Sequence, residues 1–370
     1  MEGLDYALRS ICRERSLMLG KQLIQAASGT VGGGAYSGAL AVTHSNSPYV
    51  SVYPWSADGF GTKYSDPSSS VSGTGYKAAF SADKAYLAIA HNAGARISVY
   101  NWSNASGFGS KFSNPSSSLP NTAFGVKFAP DGSAIGIAHN NSPYVSAYPW
   151  SSSGFGTKYS NPSTLPSEIS RDIDFSPAGN AVAVGHNSSP YITAYPWSGS
   201  GFGTKYSNPS TLPNLHSYGV SFHPDGDALA SASFFTPFVR VWAWSASGFG
   251  TKYTDPSSGT GAGWACRFSP DGNYLLQGSD SDPHINIWPW SSSSGAGTKF
   301  SQPSVLPSEA AYGVAMSPDS TAVAVAHARS GSVERYVSVY AWSDSGFGAR
   351  YSDPSTTPTG TGNGVVFSPT

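Results

Sequence analysis

Histidines recur at one position of a repeated segment, with serines in two of its seven copies: His44, His91, His139, His186, Ser233, Ser279 and His327. Imidazole nitrogens bind zinc and act as general bases near neutral pH. Positions related by a sevenfold axis at a radius of roughly 10 Å lie about 9 Å apart, whereas zinc holds its nitrogens at about 2.1 Å. We therefore predict hydrogen-bonded structural histidines, with a ligand role as the less favoured alternative.

A basic residue occupies an equivalent position in all seven copies: Lys63, Lys111, Lys158, Lys205, Lys252, Lys299 and Arg350. In most copies a phenylalanine stands three residues before it and an aromatic residue directly after it. On an outer strand, lysine prevents edge-to-edge pairing, so a structural role is favoured. A repeated contact with an anion or a glycan is the alternative.

One tryptophan recurs with spacings of 47, 48, 47, 47, 46 and 52 residues, at Trp55, Trp102, Trp150, Trp197, Trp244, Trp290 and Trp342. An aromatic ring of this kind can stack on a sugar. A tryptophan present in every repeat, however, is more typical of a packing wedge between adjacent sheets. We predict the packing role.

The remaining chemistry-bearing residues form no recognisable catalytic set. No nucleophile, base and orienting group stand out together, no glycine-rich phosphate loop follows a strand, and most carboxylates lie in turns. The sequence therefore predicts a protein that is not an enzyme and has no metal or cofactor.

Charge and hydropathy exclude two classes of partner. Charged residues make up only 11% of the chain and the net charge is −1, with no basic run, so nucleic acid is not an expected partner. No apolar run approaches the roughly 18 residues of a membrane span, and the N-terminus lacks the apolar core of a signal peptide. The two cysteines, Cys12 and Cys266, are predicted to be buried free thiols rather than a disulfide.

The repeats themselves predict an all-β fold. Each divides into four short strands separated by turn signals, as in the small-residue segment 181–186, the alternating segment 191–195 and the turn Pro224-Asp225-Gly226. A period of 46–48 residues is close to that of four-stranded propeller blades. Seven copies therefore predict a seven-bladed β-propeller.

The two ends of the repeat region complement each other. Residues 363–370 form a first strand without its successors, and residues 38–44 form a second strand without its predecessor. We predict that residues 38–66 and 362–370 together make blade 1 of a propeller spanning 38–370. Such a clasp closes the ring and removes both sheet edges.

The Pro-Asp-Gly turns at Asp131, Asp225 and Asp271, and the strand ends at Trp242 and Trp288, make residues 38–370 resemble seven-bladed propellers of the Trp-Asp repeat type. The aspartate of that family is missing, since Ala243 and Pro289 follow these tryptophans. The family's His–Asp network is therefore not carried over. The repeat sequence also resembles the repeats of uncharacterised propellers encoded by tailed bacteriophages. The run that carries this resemblance is Tyr-Pro-Trp-Ser-x-Ser-Gly-Phe-Gly-Thr-Lys-Tyr-Ser-Asn-Pro-Ser.

Residues 1–28 differ in kind from the repeats and predict an amphipathic α-helical arm, followed by a glycine-rich linker at 29–37. An isolated helix of this length is marginal in water, so its apolar stripe must be buried somewhere. Docking to a neighbouring subunit or another protein is slightly favoured over packing on the propeller itself. The stripe consists of Leu4, Leu8, Ile11, Cys12, Met18, Leu19 and Leu23.

The segments that follow the second strands break the symmetry of the repeats. Unit five carries Phe234 and Phe235, unit six carries Asp280-Ser281-Asp282, and unit seven inserts residues 328–335, which include Arg329 and Arg335. Exposed aromatic residues beside unlike charges are a candidate partner-binding site, although neutral drift is the more favoured explanation.

Together these features predict a non-enzymatic structural or binding protein associated with a bacteriophage particle, as a capsid decoration or tail protein. The arm would bind other virion proteins or a neighbouring subunit. A lectin-like propeller that binds host-surface glycans through its blade loops is the first alternative, and an intracellular Trp-Asp-repeat-like scaffold is the second. The expected location is the virion, with the cytoplasm as the alternative.

Overall fold

The computed structural model describes residues 36–329 and 335–370 of the 370-residue chain. The predicted arm at 1–28 and most of the linker at 29–37 lie outside the described residues, as do the candidate partner-binding residues Leu4, Leu8, Ile11, Met18, Leu19 and Leu23. The helical arm therefore stays a prediction. Within the described ranges, no helix is long and apolar enough to cross a membrane.

In the described part of the chain, twenty-eight strands make seven four-stranded antiparallel sheets, which confirms the seven-bladed propeller. The first strands of the blades are β28 (Gly362–Phe367), β4 (Gly75–Phe80), β8 (Ala123–Phe128), β12 (Ser170–Phe175), β16 (Ser217–Phe222), β20 (Gly263–Phe268) and β24 (Ala311–Met316). The second strands are β1 (Gly38–His44), β5 (Tyr86–His91), β9 (Ala134–His139), β13 (Ala181–His186), β17 (Ala228–Ser233), β21 (Tyr274–Ser279) and β25 (Ala322–His327).

The two outer strands complete each blade. The third strands are β2 (Val50–Ser56), β6 (Ile97–Ser103), β10 (Val145–Ser151), β14 (Ile192–Ser198), β18 (Val239–Ser245), β22 (Ile285–Ser291) and β26 (Val337–Ser343). The fourth strands are β3 (Gly59–Phe60), β7 (Gly107–Lys111), β11 (Gly154–Phe155), β15 (Gly201–Phe202), β19 (Gly248–Lys252), β23 (Gly295–Ala296) and β27 (Gly346–Arg350).

Blade 1 is built from both ends of the repeat region, in the order β28-β1-β2-β3. Its β28 pairs antiparallel with β1, so that Leu40 lies opposite Phe367 and Val42 opposite Val365. The Tyr36 hydroxyl donates to the Ser368 carbonyl at 2.6 Å, and the Ala39 N–H donates to Ser368 Oγ at 3.0 Å. The first and second strands of this blade thus come from opposite ends of the repeat region, as the sequence predicted.

Tryptophans fill the seams between blades. Each of the seven repeated tryptophans is 3–7% exposed. Each also makes an edge-on contact, with ring centroids 4.9–5.2 Å apart, to a tyrosine or phenylalanine from the preceding blade, as Trp102 does with Tyr64. Edge-to-face geometry is a favourable aromatic arrangement. The predicted wedge role of the tryptophans is confirmed.

The seven first strands form the innermost ring of the propeller. Each contacts the first strands of both neighbouring blades, and the ring closes from β24 through β28 to β4. Glycines permit this approach: a Cβ on Gly219 would lie 2.7 Å from the backbone nitrogen of Cys266. The first strands therefore surround a narrow central channel. We call its end at the starts of the first strands the loop face, and its other end, where the Pro-Asp-Gly turns lie, the turn face.

Candidate binding site in the central channel

A β-bulge interrupts the first strand of every blade at the same place. In β4, for example, Gly75 pairs with His91 and Lys77 with Ala90, so Tyr76 has no partner residue. A bulge turns the extra side chain out of the normal alternation of the strand. The seven bulged residues, which we call the collar, are Tyr76, Phe124, Arg171, Tyr218, Trp264, Tyr312 and Asn363.

The collar is a chain of stacked groups around the channel mouth on the loop face. Tyr76 contacts Phe124 with ring centroids 4.8 Å apart. The Arg171 guanidinium lies 4.5 Å from the ring centre of Phe124 and 5.4 Å from that of Tyr218. Trp264 continues the chain, 4.4 Å from Tyr218 and 5.3 Å from Tyr312. All seven collar residues are half-buried, so each presents part of its surface to solvent.

Arg171 is the single charge in the collar. Its Nε donates to Asn187 Oδ1 at 3.0 Å, and within the described ranges Nη1 and Nη2 have no hydrogen-bond acceptor. Burial lowers the pKa of Arg171, but an arginine stays protonated in proteins. The Nη1 and Nη2 groups of the stacked guanidinium can therefore donate hydrogen bonds to an acceptor on a ligand.

His216 lies beside the collar and is held by the same asparagine. Its Nδ1 is 2.6 Å from the Asn187 carbonyl oxygen, and its ring lies 5.9 Å from those of Tyr218 and Phe234. A carbonyl can only accept, so Nδ1 must carry the proton. In the neutral ring, Nε2 is then an unprotonated acceptor and a potential base.

A cavity of about 200 Å³ lies within the collar, lined by all seven of its residues and by Lys77. This is smaller than the roughly 300–1,000 Å³ typical of drug-sized ligands, so it fits one ring or the end of a longer molecule. The indole N–H of Trp264 is buried without an acceptor in the described structure. The cavity is thus mainly aromatic, with Arg171 as its charged donor.

A layer of charged side chains lies deeper in the channel. Asp172 Oδ2 accepts hydrogen bonds from Lys77 at 2.8 Å, from Arg267 Nη1 at 2.9 Å and from the Val220 N–H at 3.1 Å. Burial would raise the pKa of Asp172, but Arg267 and Lys77 outweigh it and lower that pKa to about 2. Cys266 is a buried free thiol, as predicted, and burial raises its pKa to about 12.

The repeated histidines lie away from the channel mouth and bond within their own blades. Nε2 of each is 2.8–3.1 Å from a serine or threonine hydroxyl on the third strand, as for His91 and Ser98. Burial lowers their pKa values to about 4. These are the contacts that the structural interpretation requires.

The repeated basic residues also bond locally. Six of the seven bind the Asp or Asn that stands three residues later, as Lys111 does with Asn114 at 2.6 Å, whereas Lys299 binds Asn286 at 2.9 Å. The hydrogen bonds of these six residues connect the end of the fourth-strand segment to the turn that follows it. No anion is needed to explain their positions.

One group in the described ranges has metal-ligating side chains close together. Ligand atoms of His223, Asp225 and Asp227 lie within 4.8 Å of one another on the turn face. His223 Nε2 is 3.0 Å from the Gly272 carbonyl, and its Nδ1 is 2.8 Å from Asp227. Nε2 therefore donates to a carbonyl, and Nδ1 accepts the Asp225 N–H at 3.3 Å, so protein groups already bind both nitrogens.

Of the loops that break the symmetry of the repeats, the loop of unit five contacts the collar. Phe234 contacts Tyr218 and Trp264 at 6.1 and 6.4 Å, whereas Phe235 is 49% exposed. Arg335 pairs with Asp353 at 2.8 Å, and Arg329 is exposed. Unit five thus extends the aromatic surface of the collar, and a partner-binding role for these four residues stays a prediction.

Sequence reasoning missed the collar. Its signal was present, because aromatic residues occupy the same position of five first strands, at Tyr76, Phe124, Tyr218, Trp264 and Tyr312. Without the bulges, that position reads as one more residue of a plain apolar strand.

No protein-family model matches the sequence, and no curated protein matches it either. Solved structures do share the fold. They include a protein from Lactobacillus plantarum (TM-score 0.69, 15% identity), the periplasmic gluconolactonase of Pseudomonas aeruginosa (0.65, 15%) and a candidate 6-phosphogluconolactonase from Bacteroides uniformis (0.66, 14%). Each comparison covers 90% of this chain and 99% of the other.

These structures contradict the prediction that the chain is not an enzyme. Two of the three carry names of lactonases, so the absence of a familiar catalytic motif did not justify excluding catalysis from this architecture. At identities of 14–15%, the likeness shows the fold alone. The described residues confirm a seven-bladed propeller, whereas the finer resemblances to Trp-Asp repeat proteins and to bacteriophage propellers stay predictions.

Proposed function

We propose that this propeller binds a carbohydrate in the collar. The observation that carries the proposal is the occupation of seven equivalent bulges by five aromatic residues, one arginine and one asparagine. Core packing does not account for this composition, since these side chains are half-buried whereas the second strands are almost entirely buried.

The chemistry of the collar suits a sugar ring. Aromatic faces pack against the apolar C–H face of a sugar, while polar groups at the rim bind its hydroxyls. Trp264 and Tyr218 supply the faces, and the free Nη groups of Arg171 supply donors. Arginine also favours a ligand with a carboxylate, because the guanidinium binds carboxylates in a bidentate manner.

This proposal moves the lectin-like hypothesis from the blade loops to the channel mouth. The loop of unit five still contributes, through the packing of Phe234 on Tyr218 and Trp264. Association with a virion and attachment through the arm stay separate predictions, which carbohydrate binding neither requires nor excludes.

A second candidate function is hydrolysis of a sugar lactone bound in the same collar. It is favoured by the names of the lactonases that share the fold and by the fixing of both Arg171 and His216 by Asn187. His216 Nε2 would take a proton from water as the water oxygen adds to the lactone carbonyl, and Arg171 would stabilise the developing oxyanion. The ring C–O bond would then break, with the proton delivered to the leaving oxygen.

The first experiment is a glycan-array screen, followed by calorimetry of the best monosaccharide or oligosaccharide with the intact chain. Trp264→Ala should weaken binding about tenfold, because ring stacking contributes on the order of 1–2 kcal/mol. Phe235→Ala is the matched control, since Phe235 is an exposed aromatic residue outside the collar. Equal affinity in the intact chain and Trp264→Ala would contradict the proposal.

An activity assay distinguishes lactone hydrolysis from carbohydrate binding alone. Release of acid from glucono-1,5-lactone is followed in a pH-stat, with Arg171→Gln and His216→Gln as test variants and Arg96→Gln as the charge-matched control. Loss of enzyme-dependent hydrolysis in both test variants supports lactone hydrolysis. Carbohydrate binding without hydrolysis would support the first function and contradict the second.

A further inference from the structure

The turn-face end of the channel holds a second cavity, which shares only Lys77 and Tyr312 with the lining of the collar cavity. Its volume is about 650 Å³, and Lys77, Lys127, Asp174 and Arg267 line it together with apolar residues. The apolar wall comes from phenylalanines at the ends of the first strands and from prolines of the hairpin turns, including Phe128, Phe175, Phe268, Pro130, Pro177 and Pro270. A charged floor with an apolar wall is the usual composition of a small-molecule site.

Cationic side chains outnumber carboxylate side chains along this part of the channel. Below the collar, the first strands carry the cations Lys77, Lys127 and Arg267 and the carboxylates Asp172 and Asp174. Cys266 does not supply another negative charge, because its thiol stays protonated. Each cation has a carboxylate partner, but Lys77 and Arg267 share Asp172 while Lys127 pairs with Asp174. Two carboxylate side chains thus serve three cations.

Arg267 is placed to receive an anion. All of its hydrogen bonds are made by Nη1, to Asp172 at 2.9 Å and to the carbonyls of Val220 and Cys266 at 2.8 and 2.9 Å. Its Nε and Nη2 have no acceptor in the described ranges and are not among the buried unsatisfied atoms. The side chain is 31% exposed, so these N–H groups open into the cavity.

Lys127 adds a second cation at the same place. Its Nζ lies 3.1 Å from Asp174 Oδ1, and the side chain is 47% exposed. The other Asp174 oxygen accepts the Phe222 N–H at 2.9 Å. Lys127 and Arg267 therefore both line the cavity, each paired with a different carboxylate.

We propose that the turn-face cavity binds a small organic anion through a carboxylate or phosphate group, held by Arg267 and Lys127. The unused N–H groups of Arg267 present the planar edge that binds two oxygens of one oxyanion. The organic part of the ligand packs against the phenylalanine and proline wall. Carboxylates and phosphates share this chemistry, and the experiment compares them.

The test is a thermal-melting titration of the full chain with inorganic phosphate and with citrate, at constant ionic strength set by sodium chloride. We expect saturable stabilisation by at least one of the two anions, which chloride does not reproduce. Lys127→Gln should weaken the effect about threefold, the scale of a partly exposed charge contact. The anion that raises the melting temperature more shows whether the cavity prefers a phosphate or a carboxylate group.

Arg267 requires two variants, because removing its charge also breaks its pair with Asp172. Arg267→Gln should weaken anion binding about tenfold or more. Arg267→Lys keeps the charge beside Asp172 but loses the planar donors, so it should fold and still bind the anions more weakly. Arg96→Gln, which lies outside both cavities, should leave the anion effect unchanged. Stabilisation that equals that of chloride, or that survives unchanged in Arg267→Lys and Lys127→Gln, overturns the proposal without bearing on the collar.

Discussion

Neutralising Asp172 should destabilise the propeller more than any other single charge removal in the channel. The side chain is 1% exposed and accepts hydrogen bonds from Lys77, Arg267 and the Val220 N–H through one oxygen. In Asp172→Asn, two charge-assisted hydrogen bonds lose their anion, and each contributes about 1.5–3 kcal/mol. We expect a loss of about 3–5 kcal/mol in the free energy of unfolding, the usual cost of breaking a buried ion pair from one side.

The assay is equilibrium unfolding in urea at pH 7, because guanidinium chloride would screen the charges under study. The matched control is Asp66→Asn. Asp66 is 49% exposed and pairs with Lys63, and three other blades carry Asn114, Asn161 or Asn208 at its position. This control should change the free energy of unfolding by less than about 1 kcal/mol.

A second substitution separates charge from packing. Asp172→Asn leaves Lys77 and Arg267 as neighbouring cations, so replacing Lys77 with Met as well should remove part of the repulsion. The double variant Asp172→Asn/Lys77→Met should therefore be more stable than Asp172→Asn alone. Stability of Asp172→Asn equal to that of Asp66→Asn, or a further loss in the double variant, would refute the electrostatic explanation.

Two further predictions follow from the repeats. The buried histidines have pKa values near 4, below the ordinary 6.5, so the unfolded chain takes up protons first as the pH falls. The melting temperature should therefore fall as the pH decreases from about 6.5 to 4. His139→Ser, which copies Ser233, should make that fall shallower, and an unchanged slope would argue against burial as the cause. Deleting residues 363–370 removes most of β28 and exposes the edge of β1, so cooperative melting should be lost or aggregation should appear; melting like that of the full chain would contradict the clasp.

The strands and the closure of the ring could be predicted because their signals are local and repeated seven times. Alternation, turn residues and one tryptophan per unit set the blades, and the complementary ends specified the β28–β1 pairing. The channel could not be predicted in this way. Arg267 and Asp172 are 95 residues apart in sequence, and their contact depends on how far the ring curves between their blades.

The collar was missed for a related reason. A bulge changes the direction of one side chain without changing the residue pattern around it, so Trp264 and Tyr312 resembled ordinary strand residues. The exclusion of catalysis failed because it relied on motifs known from other folds. In a propeller, residues such as Arg171 and His216 come together from neighbouring blades and leave no motif in sequence.

The most direct test of carbohydrate binding in the collar is a crystal structure of the chain with the best-binding saccharide from the array. We predict a sugar ring packed against Trp264 or Tyr218, with a hydroxyl or carboxylate oxygen within about 3 Å of an Arg171 Nη atom. A saccharide bound on the blade loops with an empty collar would contradict the proposal.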